Sequence, residues 1–146
     1  NRPDATTESI RDGWYVTGDI CVIDEDGFVR IVGRESRFAK IGGEMVPHGL
    51  VEDALTAIVG VDEDGQQKVV VVSVPDPERG ERLIVVHTPV EQRPAELRDA
   101  LHAAGLPNLF IPDGNSFLEV AELPTLGSGK LNIRQIKSVA ETAFAI

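Results

Sequence analysis

Apolar and polar positions recur along this chain with two different periods, and the changes of period mark its elements. Residues 14–23 are rich in aromatic and β-branched side chains, Asp26-Gly27 supplies a turn, and residues 28–32 return, which predicts a β hairpin. An isolated hairpin is marginal in water, so this one needs something to pack on. A break at Gly33-Arg34 precedes a second short β segment over residues 38–46, interrupted by Gly42-Gly43, and predicts a domain boundary near residues 33–36. Past Pro47 the period lengthens. Leu50, Val51, Ala54, Leu55 and Ile58 fall at helical spacing within residues 48–59, and Gly60 stops the helix.

Residues 68–74 and 82–88 are apolar, β-branched runs joined by the polar stretch 75–80, which predicts two paired strands. Residues 94–104 read as a second helix with Leu97 and Leu101 inward, Pro94 at its start and Gly105 at its stop. A third strand is expected over residues 116–120. Asn132 then caps a last helix running to about Ala145, with Ile133, Ile136, Val139, Ala140 and Phe144 along one face. The pattern amounts to a small α+β domain, a central three-stranded sheet with about three helices, preceded by a β hairpin that belongs to another body. Residues 1–12 are polar, without core-facing periodicity, and read as an exposed lead-in or the cut end of something larger.

Composition narrows the class of function. With 42% apolar residues in 146, the chain can bury a real core. Its longest apolar run, residues 69–72, is far short of the roughly 20 residues that span a bilayer, and no targeting pattern opens the chain, so the reading is a soluble, non-secreted protein. One cysteine, Cys21, builds no internal disulfide, and His48, His87 and His102 have no zinc-ligand spacing. A formal charge of -10 argues against nonspecific nucleic-acid or anionic-membrane binding, which need a basic surface. Arg30, Arg34, Arg37 and Lys40 nevertheless cluster, either as a local patch for an anionic partner or as an ordinary solvated face.

Four constellations carry possible chemistry. The loop Pro124-Thr125-Leu126-Gly127-Ser128-Gly129-Lys130 joins a strand to a helix, where free backbone N–H groups, a positive dipole end and a lysine would suit an anion. A solvent-exposed turn is the plain alternative. Walker A fails, because Pro124 stands where its first glycine belongs and Leu131 where its Ser or Thr belongs. Asp24-Glu25-Asp26-Gly27 and Asp62-Glu63-Asp64-Gly65 fail as calcium loops: Val22 and Gly60 occupy the first ligand position, Gly33 and Val71 the last. In Tyr15-Val16-Thr17-Gly18-Asp19 a carboxylate follows a glycine in a strand, as a site for vicinal hydroxyls would place it, or as many loops do by chance. Gly33-Arg34, Lys40 and Gly42-Gly43 are equally open: arginine binds phosphate bidentately, yet glycines after a strand often mean only a bulge.

In order and spacing these segments resemble the superfamily of acyl-CoA synthetases, nonribosomal peptide adenylation domains and luciferases. Residues 15–19 look like its Y-x-T-G-D segment, Gly33-Arg34 through Lys40 and Gly43 to Glu52 like its G-R…K-x-x-G…E segment, and residues 124–130 like its terminal catalytic-lysine loop. Residues 37–46 and 123–130 are similar, more narrowly, to the synthetase region of bifunctional 2-acylglycerophosphoethanolamine acyltransferase/acyl-[acyl-carrier-protein] synthetases. The resemblance implies that residues 1–33 are the tail of a large ATP-binding domain, 34–36 a hinge and 37–146 a mobile C-terminal domain. It also implies an ATP-dependent ligase: a fatty acid held by the large domain attacks the α-phosphate of Mg-ATP, and the phosphopantetheine thiol of acyl carrier protein or CoA then displaces AMP. Lys130 would be the catalytic residue, Asp19 would hold ribose, Arg34 and Lys40 would serve the nucleotide, and Gly42 and Gly43 would line the thiol passage. A non-catalytic module that docks an acidic carrier through Arg34, Arg37 and Lys40 is the alternative. The same resemblance implies the cytoplasmic side, in association with the inner membrane, and coupling to lysophospholipid acylation. One departure stands at the hinge, where Ser36 replaces the family's usual Asp or Lys.

Overall fold

The computed structural model describes Thr7 and residues 9–144, so most of the polar lead-in and the expected helix end at Ala145 lie outside the described residues. By backbone proximity the chain divides into a unit of Asn1–Ser36 and a unit of Arg37–Ile146.

Among the described residues, the strands of the first unit form two small hairpins. Strand β1 (Ile10–Arg11) pairs with β2 (Trp14–Tyr15), and β3 (Asp19–Ile23) with β4 (Val29–Arg34), both antiparallel. The single strand expected over residues 14–23 is therefore interrupted, where Gly18 takes φ +71. Asp24 closes the β3–β4 turn: its Oδ1 accepts the amides of Asp26 (3.1 Å) and Phe28 (2.8 Å). Asp62 does the same for Asp64 and Gln66, so each acidic turn spends its first carboxylate on its own backbone.

In the second unit, β5 (Phe38–Ile41) and β6 (Glu44–Pro47) form the glycine-turn hairpin and lead into α1 (His48–Val59). Next, β7 (Val69–Asp76) and β8 (Gly80–His87) pair along their whole length. After α2 (Pro94–Ala103), β9 (Phe117–Glu119) runs parallel to β8, and α3 (Ile133–Ala143) ends the domain. The three expected central strands are β7, β8 and β9; the β5–β6 hairpin joins them through Ile41 and Gly80 to make five.

Both faces of this sheet are covered, which is why β7 reads as an unbroken apolar run instead of an alternation. Val69, Val71, Leu83 and Val85 pack with Val51 and Leu55 of α1 and Leu97 and Leu101 of α2. Val70, Val72, Ile84 and Val86 pack against Ile136 and Ala140 of α3. Leu50 departs from expectation and is 47% exposed. The stripe from Leu50 to Ile58 is wider than the face the sheet can cover, and the sheet takes its Val51–Leu55 side.

Candidate functional site

The lysine loop starts from a buried anchor, Leu123, packed in the α3 layer. Thr125 and Leu131 form an antiparallel bridge across its neck, and the Asn132 amide donates to the Pro124 carbonyl at 2.8 Å. Inside the loop, the Leu126 amide donates to the Lys130 carbonyl (2.7 Å) and the Gly129 amide to the Leu126 carbonyl (2.8 Å), with Gly129 at φ +80. Two loop amides thus serve the loop's own carbonyls, and α3 begins behind Asn132, whose Oδ1 accepts the Gln135 amide, one of the helix N-terminal amides that the sequence reading assigned to an anion. What the loop presents is a charge. Lys130 is exposed at its braced end and, among the described residues, makes no ion pair.

The β5–β6 turn carries Gly42 at φ +58 and Gly43 at φ +91. Two consecutive positive φ values make the tight hairpin turn whose twist matches its strands, and this is what demands glycine here. An added Cβ would meet nothing within 4 Å at either position. The Gly42 amide donates to the Arg79 carbonyl at 2.8 Å, pinning the turn to the β7–β8 connection. Gly43→Ala should therefore lower stability by about 1–2 kcal/mol, the cost of a left-handed L-residue, without disturbing the core. Urea denaturation checks this, and an unchanged midpoint would show that the turn carries no conformational demand. Lys40 alternates with the buried Ala39 and Ile41, so its side chain is exposed while its amide donates to Glu81 Oε2 at 2.6 Å.

In the first unit, Asp19 and Arg34 are register partners on β3 and β4. Arg34 Nε lies 2.8 Å from Asp19 Oδ1, an ion-pair distance without hydrogen-bond alignment. Arg34 Nη1 donates to the Thr17 carbonyl (3.1 Å), and the Asp19 amide donates to Thr17 Oγ1 (3.1 Å). The structure thus brings these two expected nucleotide ligands together at one end of one hairpin, each engaged with the other.

Arg37 does something the sequence did not suggest. Its guanidinium is ion-paired with Glu52 of α1, and Glu52 is 7% exposed. The basic cluster read from the sequence therefore dissolves, with Arg34 on Asp19, Arg37 on Glu52 and only Lys40 of the three docking candidates unpaired among the described residues. The available signal was a glutamate beside Val51 on the apolar stripe of a helix. Nearby, His48 is 2% exposed, and among the described residues neither ring nitrogen has a partner. Burial, with the positive charges of Arg37 and Lys137 adding to it, lowers its pKa from 6.5 to about 3.

No family model matches the chain. Among curated proteins it is 38% identical to the long-chain-fatty-acid–CoA ligase of Salmonella typhimurium over 95% of its own length and 24% of the ligase. Its fold matches ATP-bound MatB from Rhodopseudomonas palustris with a TM-score of 0.70 and 26% identity, over 97% of this chain and 27% of that one. It also matches o-succinylbenzoate CoA synthetase (MenE) from Bacillus subtilis, solved with its acyl-adenylate intermediate, at a TM-score of 0.68 and 28% identity, over 94% of this chain and 27% of that one. The chain thus spans about a quarter of the length of the relatives it matches. No helix among the described residues is long and apolar enough to cross a membrane. By sequence and by fold, the homologues of this chain are acyl-CoA ligases and related adenylate-forming enzymes, and its small α+β domain matches their C-terminal domain.

Proposed function

We propose that the chain is the C-terminal portion of an ATP-dependent acyl-activating ligase in which Lys130 is the catalytic lysine of adenylate formation. The observation that carries this reading is the braced loop that holds an unpaired Lys130 in solvent, on a fold shared with proteins solved with ATP and with an acyl-adenylate. When a carboxylate attacks the α-phosphate, negative charge grows on the phosphoryl oxygens, and a preorganised cation there lowers the barrier. Lys130 supplies that cation, pyrophosphate leaves, and a phosphopantetheine thiol then displaces AMP from the acyl-adenylate. Asp19 and Arg34 contribute to the ribose and phosphate side by opening their mutual pair toward the nucleotide. The turn Gly42-Gly43, with Lys40 beside it, borders the thiol passage. Mg2+ would travel with the nucleotide, whose phosphates need only one or two carboxylates beside them to hold it.

The first unit supports the division of labour. Trp14 (79% exposed), Phe28 (72%) and Ile23 (68%) leave a two-hairpin unit with more bare apolar surface than such a unit tolerates in water. Residues 1–33 fit the tail of a large ATP-binding domain, 34–36 a hinge and 37–146 a domain that turns about it. The acceptor is the phosphopantetheine thiol of CoA, as the names of the related ligases suggest, or of acyl carrier protein, as the resemblance over residues 37–46 implies, the latter with a role in lysophospholipid acylation at the inner membrane. For the carrier-docking alternative, Arg37 is spent on Glu52, while Arg34 and Lys40 remain exposed cations. ATP–pyrophosphate exchange tests the reading: the 146-residue chain should show none and the full-length protein with fatty acid should show it. Exchange by the isolated chain would overturn the proposal. Offering CoA and acyl carrier protein in parallel then assigns the acceptor.

A further inference from the structure

Among the described residues, strand β7 lies at the edge of its sheet and pairs only with β8. An edge strand presents unpaired N–H and C=O groups that must be covered or solvated. At Val71 they are covered by two side chains. Glu52 Oε1 accepts the Val71 amide at 2.7 Å, and Arg37 Nη1 donates to the Val71 carbonyl at 3.2 Å. Arg37 Nη2 and Glu52 Oε2 complete the loop as a partly buried ion pair. The two side chains thus occupy the hydrogen-bonding place of a missing strand.

Their position in the chain gives this clamp a second meaning. Ser36 ends the first unit and Arg37 begins the second. One residue upstream of Ser36, the Glu35 amide donates to the Gly18 carbonyl at 2.8 Å, which ties that side to the first unit. One residue downstream of Arg37, Phe38 enters the β5–β6 ladder opposite Pro47. The exposed Ser36 therefore stands between two fastened shoulders, and the clamp is the shoulder on the C-terminal side.

We propose that Arg37 and Glu52, by gripping both backbone groups of Val71, confine the rotation between the two units to the backbone around Ser36, which makes Arg37 a positioning residue for the exchange between the two half-reactions. This rests on the functional reading above. A hinge with stiff shoulders turns between few orientations, whereas a loose shoulder spreads the same rotation over many residues and leaves each working orientation less defined. The Arg37 guanidinium is engaged by Glu52 and the Val71 carbonyl, so its loss should act on passage between the steps and not on the chemistry of either.

The test uses Arg37→Met and Glu52→Gln in the full-length enzyme, with hydrogen exchange on the 146-residue chain. Arg37→Met should speed exchange of the Val71 amide and lower steady-state turnover about tenfold, while the pre-steady-state burst of acyl-adenylate stays within about twofold. Glu52→Gln keeps an acceptor for Val71 and a partner for Arg37, and should retain most of the turnover. Should Arg37→Met fail to fold, Arg37→Lys, which keeps a charge beside Glu52 but gives up the fork that spans Glu52 and Val71, should show a smaller fall of turnover at an unchanged burst, and an equal fall of both would overturn the proposal in the same way. A parallel fall of burst and turnover marks a merely structural edge cap and overturns the proposal, as does unchanged turnover beside a freely exchanging Val71. Lys130→Ala is the separate control: a burst that survives it indicts the functional reading instead of the clamp.

Discussion

Replacing Lys130 by alanine in the full-length ligase should slow acyl-adenylate formation by roughly a hundredfold or more, about 3 kcal/mol or above, while thioester formation from supplied acyl-adenylate stays within a few-fold of the parent. The asymmetry follows from where Lys130 sits. Its loop is held by the Thr125–Leu131 bridge, by Leu126 and Gly129 amides bonded within the loop, and by the Asn132 amide on the Pro124 carbonyl. None of these involves the ammonium, so truncation removes the charge and keeps the scaffold. The second half-reaction expels AMP from an adenylate already made and no longer needs a cation across carboxylate and phosphate. Lys130→Arg should recover little, because a planar fork on a braced loop cannot take the place of a compact ammonium. Single-turnover assays of the two steps decide the matter, and equal loss in both would refute the assignment.

That prediction rests on a loop legible in the sequence as a lysine after two glycines, although its mechanics were not. Local signals were strong: the helical spacing of residues 48–59 with Gly60 after it matches α1, and the same holds for α2 between Pro94 and Gly105. The apolar runs of β7 and β8 were equally plain, because a strand buried on both faces needs a continuous apolar sequence. The misses are non-local. The parallel pairing of β9 with β8, and the Ile41–Gly80 ladder pair that brings the β5–β6 hairpin into the sheet, depend on docking between segments far apart in the chain. Asp19 and Arg34 become neighbours through a hairpin register that shifts between Ile20 and Cys21, and no spacing rule reveals a bulge. Glu52 carried the clearest overlooked hint. A carboxylate beside the buried stripe of α1 must find a partner, but its partners, Arg37 and the Val71 amide, are named only by the fold.

His48 gives the second large effect, read in acid. Its ring is buried without a protein partner and faces the positive charges of Arg37 and Lys137, so its proton affinity falls in the folded state, from 6.5 to about 3. The unfolded chain then binds more protons than the native one between those two values, and stability must rise with pH across that window. The contribution is intact above about pH 6.5, erodes as pH falls, and is exhausted near pH 3. Each unit is worth about 1.4 kcal/mol, so His48 should remove about 2 kcal/mol of stability between pH 7 and pH 5. Most carboxylates titrate lower and add little in that interval. Urea denaturation of His48→Leu beside the parent isolates the effect: the parent should lose about 2 kcal/mol more than the variant over those two units, while at pH 7 the variant should be no less stable, having shed two unpaired nitrogens. Equal losses in both proteins would mean that protonated His48 finds an acceptor inside the fold. Glu52, four residues along α1, already gives one carboxylate oxygen to Arg37 and the other to the Val71 amide.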